Sequence, residues 1–336
     1  EINEKYCQYF GCDQLSKVCT DLWCKTFLDQ PSLLSDKGKI LVTYKYLITH
    51  KDILKPIINF LGKVDSYLSI IKVYKNNQTS KNKFCFPKYH YNSKPFYQIE
   101  GLWHPYLDNE TAIDNSFSLG DSSKNNAIIT GPNAGGKSTF IKSVVISILL
   151  SQTLGICPSR KVYLTLFSKL ETYLNIPDLK GKESLFEAEV NRSLNYIKTL
   201  NNMPEDDFSL IVMDEIFNST NPEEGISGAY SICQKLSTFK NNLSIITTHF
   251  NYLTKLEKDT SDFINYKIPI SKKNDKIIYP YKLTNGVSKQ FIAIELLREK
   301  GFDNEIIENA LKICEKIKTK KSGKKKKKRK KQKLNE

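Results

Sequence analysis

The segment Gly131–Ser138 has the residue types and spacing of a phosphate-binding loop. It reads Gly-Pro-Asn-Ala-Gly-Gly-Lys-Ser and fits the pattern G-x-x-x-x-G-K-[ST]. Glycines let successive backbone N–H groups face an anion, and a helix that begins at Lys137 adds the positive end of its dipole. Lys137 is then expected to reach the β- and γ-phosphates, and the hydroxyl of Ser138 to coordinate Mg²⁺. The loop predicts a nucleotide-binding site.

A second apolar run, Leu210–Met213, is followed by two adjacent acids, Asp214 and Glu215. In nucleotide-hydrolysing α/β proteins, a strand that ends in a carboxylate places an Asp beside the metal ion. Glu215, one residue further on, is in position to orient or deprotonate an attacking water. Because the pair follows a phosphate loop, it predicts hydrolysis rather than binding alone.

A histidine, His249, follows a third apolar run that ends in Ile246-Thr-Thr. Ligands bind at the carboxyl ends of the strands in parallel sheets. His249 is therefore predicted to act near the γ-phosphate. An isolated histidine is more often an ordinary core or surface residue, and that interpretation stays open.

Short apolar runs alternate with helical stretches and must position these residues. The runs are Ala127–Thr130, Leu210–Met213 and Leu243–Thr247, and the helical stretches are 138–154, about 223–237 and Phe250–Leu256. Such alternation is typical of an α/β domain with a mostly parallel sheet flanked by helices. Residues 269–281 predict one or two edge strands, and residues 288–300 and 304–318 predict two final helices.

The residues before the α/β pattern predict a helical segment and a linker. Apolar residues recur at helical intervals within residues 1–75, interrupted at Gly11, Pro31, Gly38 and Gly62. The polar, turn-rich residues 76–95 predict a linker. The chain is thus predicted to comprise a helical core or lever segment (1–75), a linker (76–95), an α/β domain (96–318) and a tail (319–336).

The net charge of +15 is concentrated near the C-terminus. From Lys316 to Lys333, thirteen residues are Lys or Arg and none is acidic, so the tail is predicted to be disordered. A tail of this kind is a solvated extension, a nuclear import signal or a tether to the DNA backbone. No apolar run is long enough for a membrane helix, and no leader is recognised. The prediction is an intracellular protein with no membrane contact, in the nucleus or at a cytoplasmic site of DNA replication.

The eight cysteines do not match the spacing of a structural zinc site. Free cysteine behaves as a small buried hydrophobe. The cysteines are therefore predicted to be core thiols in a reducing compartment.

Further motifs flank the loop, the two acids and the histidine in a fixed order. They are Gly101–Pro105, Thr130–Thr139, Ser184–Glu189, Asp214–Gly225, Thr248–Phe250 and the pair Asn285-Gly286 with the helices after it. In this order and spacing they resemble the C-terminal ATPase domain of the MutS family of DNA mismatch repair ATPases, a branch of the ABC-type superfamily. The resemblance covers about residues 60–318. Phe217-Asn218-Ser219 stands where the family commonly has Gly-rich residues, as in divergent branches.

The resemblance implies an ABC-type P-loop NTPase fold with ATP and Mg²⁺ as cofactors. The nucleotide would be held by Gly131, Pro132, Asn133, Ala134, Gly135, Gly136, Lys137, Ser138 and Thr139. Ser138 and Asp214 would hold the metal. Glu215 would prime the water, with His249 and Lys137 completing the catalytic set. Ser184 would reach the γ-phosphate of a partner protomer, although it is equally suited to cap the helix that begins at Leu185.

The resemblance also implies a homo- or heterodimer in which ATP binding and hydrolysis switch the grip on double-stranded DNA in mismatch repair. A mismatch-probing module with an aromatic wedge is not recognised in this sequence. The alternatives are a MutS-like ATPase acting on recombination intermediates or branched DNA, the nucleotide-binding subunit of a transporter, and a DNA clamp with negligible turnover. Trp103, His104 and Tyr106 are expected either to line an adenine pocket or to pack in the core.

Overall fold

The computed structural model describes most of the chain in two compact units. It describes residues 37–49, 51–91, 94–121, 123–174, 184–273, 276–288, 293–314 and 316. The units are Glu1–Lys75 and Asn76–Glu336. Residues 1–36 of the predicted helical segment and the predicted tail 319–336 lie outside the described residues.

The first unit is helical in its described part. Helix α1 spans Lys37–Thr49 and helix α2 spans Lys51–Asn76. Gly62 was expected to interrupt the helical pattern, yet it lies within α2. A glycine inside a helix costs only about 1 kcal/mol relative to alanine, which an otherwise helical sequence tolerates.

The second unit is built around a six-stranded, mostly parallel sheet. Its strands are β4, Asn126–Thr130; β6, Lys169–Tyr173; β7, Ser209–Asp214; β8, Asn242–Thr248; β9, Phe263–Lys267; and β12, Thr284–Asn285. Across the sheet they lie in the order β12-β9-β4-β8-β7-β6. The five longer strands pair in parallel, and the short edge strand β12 pairs antiparallel to β9. The predicted α/β class with a mostly parallel sheet is therefore observed.

Register within this sheet brings three chemically important strand ends together. Thr130 of β4 pairs with Thr248 of β8, and Thr247 pairs with Asp214 of β7. Strand β8 thus lies between the strand that precedes the phosphate loop and the strand that ends in Asp214. The loop, the two acids and His249 consequently share one edge of the sheet.

Helices cover both faces of the sheet. Alternate side chains of each buried strand point to opposite faces, so apolar residues on both faces need a covering layer. Helix α3 spans Lys137–Leu154, α4 spans Leu185–Asn201 and α5 spans Pro222–Leu236. Along β7, Leu210 and Val212 pack in a cluster with α3, whereas Ile211 and Met213 pack in a second cluster with α4 and α5. Burial on both faces explains why these strands are continuous apolar runs.

A second, four-stranded sheet packs in the cluster that contains α3. Its order is β1-β5-β2-β3, with β1 at Lys88–Tyr89, β2 at Phe96–Leu102, β3 at Asn115–Gly120 and β5 at Lys161–Leu164. Strand β2 pairs antiparallel with both β3 and β5. This sheet was not predicted from the sequence, because its strands are short and include polar and glycine residues.

Residues 76–91 of the predicted linker are packed into the second unit. Strand β1 pairs with β5, and Asn82 is buried. The Asn82 side-chain amide donates to the backbone carbonyls of Asn109 and Ala112 at 2.7 and 3.0 Å. The turn-rich sequence therefore forms irregular but anchored backbone here.

The C-terminal part begins with a short helical stretch and a hairpin. A 3-10 turn at Leu253–Lys255 precedes α6, Leu256–Asp259. Strands β10, Ser271–Lys273, and β11, Lys276–Ile278, pair antiparallel. Residues 269–281 thus contain strands as predicted, but these form a separate two-stranded sheet rather than the edge of a larger one. Helix α7 spans Ala293–Glu299, and residues 304–314 are also helical. None of the helices in the described part of the chain has the length and hydropathy needed to cross a membrane.

Candidate nucleotide site

The loop between β4 and α3 forms an anion-binding helix terminus. Strand β4 is fully buried, and α3 begins at Lys137 directly after the loop. The helix cap, Gly136, has a left-handed φ of 96° and supplies no side-chain hydrogen bond to the helix. A Cβ on Gly136 would lie 3.0 Å from Tyr281 Cδ1. Because the first N–H groups of a helix have no intrahelical acceptor, this terminus offers donors to an anion.

Lys137 folds back over the loop. Its side chain is 4% exposed, and its Nζ lies 3.2 Å from the carbonyl oxygens of both Gly131 and Pro132. Glu215 Oε1 is 3.6 Å away. Burial lowers the pKa of Lys137, and the charges of Glu215 and Asp214 oppose that change. The ammonium is thus held at the helix terminus in a setting where a phosphate could replace the carbonyls.

Glu215 joins the other predicted site residues. It has a φ of 55°, and its carboxylate Oε1 lies 2.7 Å from His249 Nε2. Oε2 accepts a hydrogen bond from Asn218 Nδ2 at 3.1 Å. The hydrogen bond with His249 is the main cause that lowers the pKa of Glu215, and the nearby Lys137 ammonium adds to it.

The tautomer of His249 follows from its neighbours. An ionised carboxylate only accepts hydrogen bonds, so His249 Nε2 must carry the hydrogen that it shares with Glu215. That nitrogen then cannot accept from Lys137 Nζ, which lies 3.2 Å away. Lys137 and His249 are therefore close to each other without a hydrogen bond between them, and both lie near Glu215 Oε1.

Lowering the pH is expected to remove the stabilisation that Glu215 provides. Its pKa in the folded chain lies below the ordinary value of 4.5. The contribution is therefore complete above that value and is lost as the pH falls through the folded pKa. Urea unfolding of wild type and Glu215→Gln from pH 7 to pH 3 should show the wild-type advantage shrinking below pH 4.5. A constant difference across that range would contradict the pairing.

Thr247 fixes the two adjacent acids. Its hydroxyl donates to Asp214 Oδ1 at 2.5 Å. The backbone N–H of Glu215 is bonded to both the carbonyl oxygen and Oγ1 of Thr247, each at 3.1 Å. Because Thr247 is fully buried, this contact sets the direction in which the chain leaves β7.

Replacing Thr247 by valine is expected to lower the free energy of unfolding by about 1–3 kcal/mol, because the Asp214 carboxylate loses a buried donor. Thr247→Ser keeps the hydroxyl and serves as the matched control. Urea unfolding measures both variants. A valine variant as stable as wild type, or a serine variant as unstable as valine, would argue against the hydrogen bond as the cause.

Two cavities adjoin the phosphate loop. The larger, about 500 Å³, lies against seven of the predicted nucleotide-binding residues: Pro132, Asn133, Ala134, Gly136, Lys137, Ser138 and Thr139. Its other walls include Leu102, His104, Leu107, Ile113, Asn115 and Tyr281. The smaller, about 390 Å³, is lined by Ser138, Asp214 and Glu215 together with Tyr173 and Glu189. Ser138 and Glu215 border both cavities.

The three aromatic candidates for a base pocket separate in the structure. His104 lines the larger cavity, and burial and the nearby Lys142 lower its pKa. Trp103 is buried, and its Nε1 donates to the carbonyl of Lys83 at 2.9 Å. Tyr106 is 85% exposed. His104 is thus a cavity wall, Trp103 packs in the core as one of the two alternatives expected, and Tyr106 does not pack in the core.

The remaining predicted residues have backbone or capping positions. Gly131 supplies a carbonyl to Lys137, and the N–H of Gly135 donates to the carbonyl of Pro132 at 3.2 Å. Ser184 is the N-cap of α4: its Oγ accepts from the N–H of Glu187 at 3.2 Å. The structure thus places Ser184 as a helix cap, directly before Leu185, which lines the smaller cavity.

Sequence reasoning missed three features of the site. Tyr281 reaches Gly136 from a distant part of the chain, and Thr247 binds Asp214 from the neighbouring strand. Ser219 donates to the buried Glu189 at 2.6 Å, which ties the segment after Glu215 to helix α4. The sequence pointed to Thr247, because it belongs to the apolar run that His249 follows, but nothing in the sequence pointed to Tyr281.

The structure defines an α/β domain with a helix terminus suited to anions at one edge of its parallel sheet, and comparison with known proteins gives its family. A family model described as MutS domain V matches residues 127–318. The chain therefore belongs to the MutS family.

Relatives agree with this assignment. The DNA mismatch repair protein MutS of Thermotoga maritima is 30% identical over 283 residues, which are 82% of this chain and 34% of that protein. The MutS proteins of Protochlamydia amoebophila and Finegoldia magna are 28% and 32% identical, over 76% and 61% of this chain and 29% and 24% of theirs. The chain thus spans about a third or less of the length of these relatives.

Proposed function

We propose that this chain carries the ATPase of a divergent MutS-type protein, of the ABC-type P-loop class, in which ATP binding and hydrolysis switch a dimer's grip on DNA in mismatch repair. The observation that supports this is the meeting of Lys137, Glu215 and His249 at the first turn of α3, with Asp214 beside them. Cation, carboxylate and imidazole thus face the helix terminus that is suited to phosphate.

The first turn of α3 and Lys137 bind the phosphates. The N–H groups of residues 137–139 donate to phosphate oxygens, and Lys137 exchanges its contacts with Gly131 and Pro132 for charged oxygens. Charge-assisted hydrogen bonds are stronger than those to neutral carbonyls. The position of Lys137 over the loop therefore supports its proposed role in phosphate binding.

Ser138 and Asp214 are suited to hold Mg²⁺. Both border the smaller cavity, and hydroxyl and carboxylate oxygens are the hard ligands that Mg²⁺ prefers. The ion supplies positive charge that neutralises the phosphate oxygens. Thr247, through its bond to Asp214 Oδ1, leaves the other carboxylate oxygen available for a ligand.

Glu215 orients the attacking water. Its lowered pKa keeps it ionised, so it accepts a hydrogen bond from water but is only a weak proton acceptor. His249 fixes Oε1 and Asn218 fixes Oε2. Release of these contacts, or a change in His249, would therefore alter the water position before it altered nucleotide binding.

Ser184 contacts the partner protomer's nucleotide. A serine hydroxyl has one donor hydrogen and two acceptor positions. As the N-cap of α4 it uses only an acceptor position, so its hydrogen remains available to a phosphate oxygen. The capping role and the proposed role across a dimer are thus compatible.

DNA is the proposed regulator, and the basic run 324–331 is proposed as an import signal or a DNA-backbone tether. The test measures the ATPase rate of the full chain without DNA and with a matched duplex, a single G·T mismatch and a four-way junction. A response specific to the mismatch supports the proposal. Equal responses reject mismatch recognition by this chain, and preference for the junction rejects it in favour of branched DNA. A chain without ATPase activity in any condition rejects the enzymatic proposal itself.

A further inference from the structure

Two cysteines lie opposite each other in the second unit, away from the phosphate loop. Cys85 and Cys157 form an isolated antiparallel bridge. The N–H of each donates to the carbonyl of the other, both at 2.9 Å. Residues paired in this way have Cα atoms about 5.5 Å apart, which is within the range found for disulfides. The backbone therefore already holds the two residues at a separation that a disulfide accepts.

The side chains of the two cysteines converge on one hydroxyl. Ser159 Oγ lies 3.2 Å from Cys85 Sγ and 3.3 Å from Cys157 Sγ. Both sulfurs therefore lie on the same side of the bridge. Both residues are free thiols in this structure.

The two thiols differ in exposure and in acidity. Cys85 is half-buried, whereas Cys157 is fully buried. Hydrogen bonds from Cys157 and Ser159 lower the pKa of Cys85 to about 7, although burial opposes them. Burial raises the pKa of Cys157 well above its usual value. Because the thiolate is the nucleophile, Cys85 is the group that reacts first with a small oxidant.

We propose that Cys85 and Cys157 form a peroxide-sensitive dithiol that closes to a reversible disulfide. The Cys85 thiolate attacks hydrogen peroxide, an S–O bond forms, the O–O bond breaks, and the hydroxide released takes a proton to become water. Cys157 sulfur then attacks the sulfenic sulfur, the S–S bond forms, and the S–O bond breaks. The hydroxide that leaves takes the Cys157 proton, so two thiols are oxidised and one peroxide is reduced to two waters.

The disulfide would join Cys85, which precedes β1, to Cys157, which lies shortly after the end of α3. Gly155 is the C-cap of α3, and Cys157 lies two residues beyond it. The closed loop contains β1, β2, β3, β4, the phosphate loop and α3. A cross-link of this length restricts the unfolded chain. Oxidation should therefore raise the thermal unfolding midpoint, and reduction should restore it.

The test treats the full chain with hydrogen peroxide, blocks the remaining thiols and maps disulfides by mass spectrometry of non-reduced peptides. A Cys85–Cys157 peptide that disappears with dithiothreitol is expected, together with a midpoint higher by roughly 5 °C or more. Cys157→Ser should remove the cross-link and leave a sulfenic acid on Cys85 that dimedone traps. Cys233→Ser changes a buried thiol in the other hydrophobic cluster and should leave the cross-link unchanged.

Three outcomes would overturn the proposal. They are Cys85 oxidised to sulfinic acid without a cross-link, Cys85 joined to a different cysteine, and both thiols still reduced after the partly exposed Cys314 has reacted. The wild-type peptide map alone distinguishes these outcomes, so the conclusion does not depend on whether Cys157→Ser folds. Cys85→Ser provides a second variant, which should abolish both the cross-link and the shift in the midpoint.

Discussion

Lys137→Ala is expected to weaken ATP binding by a hundredfold or more. The substitution removes the buried ammonium, and charge-assisted hydrogen bonds are worth about 1.5–3 kcal/mol each. Fluorescence anisotropy with a labelled ATP analogue measures the dissociation constant directly. Lys124→Ala is the matched control, because Lys124 is an exposed lysine just before β4, at the opposite end of that strand from the phosphate loop.

Loss of binding must be separated from loss of the fold. Without the ammonium, the carbonyls of Gly131 and Pro132 lose a hydrogen-bond donor, so Lys137→Met, which keeps the apolar volume, is tested in parallel. Both variants should keep the wild-type circular dichroism spectrum. Wild-type affinity in a folded Lys137→Ala chain would show that the nucleotide binds elsewhere.

Glu215→Gln is expected to lower the ATPase rate by about a hundredfold to a thousandfold, which is the usual contribution of a residue that positions or deprotonates the attacking group. The glutamine side chain keeps the shape of glutamate between Asn218 and His249, but it lacks the charge that orders the water. The affinity for ATP should change less than threefold. Steady-state phosphate release and anisotropy measure the two quantities.

Glu224→Gln controls for loss of one carboxylate, because Glu224 is exposed in the first turn of α5. It should keep wild-type turnover. If Glu215→Gln also kept its turnover, Glu215 would have no part in hydrolysis. If it lost ATP binding as well, its main role would be to hold Lys137, to which its Oε1 is 3.6 Å away.

The strand–helix alternation could be predicted because its physical causes are local. Strands β4, β7 and β8 are buried on both faces and therefore contain adjacent apolar residues rather than an alternation of apolar and polar ones. The phosphate loop carries its own signal, since its glycines and lysine follow one another in the chain. These two patterns together were sufficient to predict the edge of the sheet where the site lies.

Features that depend on pairing between distant segments could not be predicted. Tyr281 packs against Gly136, and Asn115 Nδ2 donates to the Tyr281 carbonyl at 3.1 Å, so three separate segments meet there. Nothing in the local sequence of Tyr281 indicates these contacts. The four-stranded sheet, whose short strands include polar and glycine residues, also depends on such pairing, because β5 lies between β1 and β2 in space but follows both along the chain.

The order of strands in the central sheet has a consequence for biosynthesis. Strand β8 lies between β4 and β7, yet it is translated after both. A nascent chain that stops before residue 242 carries the phosphate loop and Glu215 but lacks β8, the strand that lies between β4 and β7. Until β8 emerges, β4 and β7 expose unpaired edges that can associate with other chains. Acquisition of ATP binding during translation would thus mark the moment at which β8 pairs with both β4 and β7.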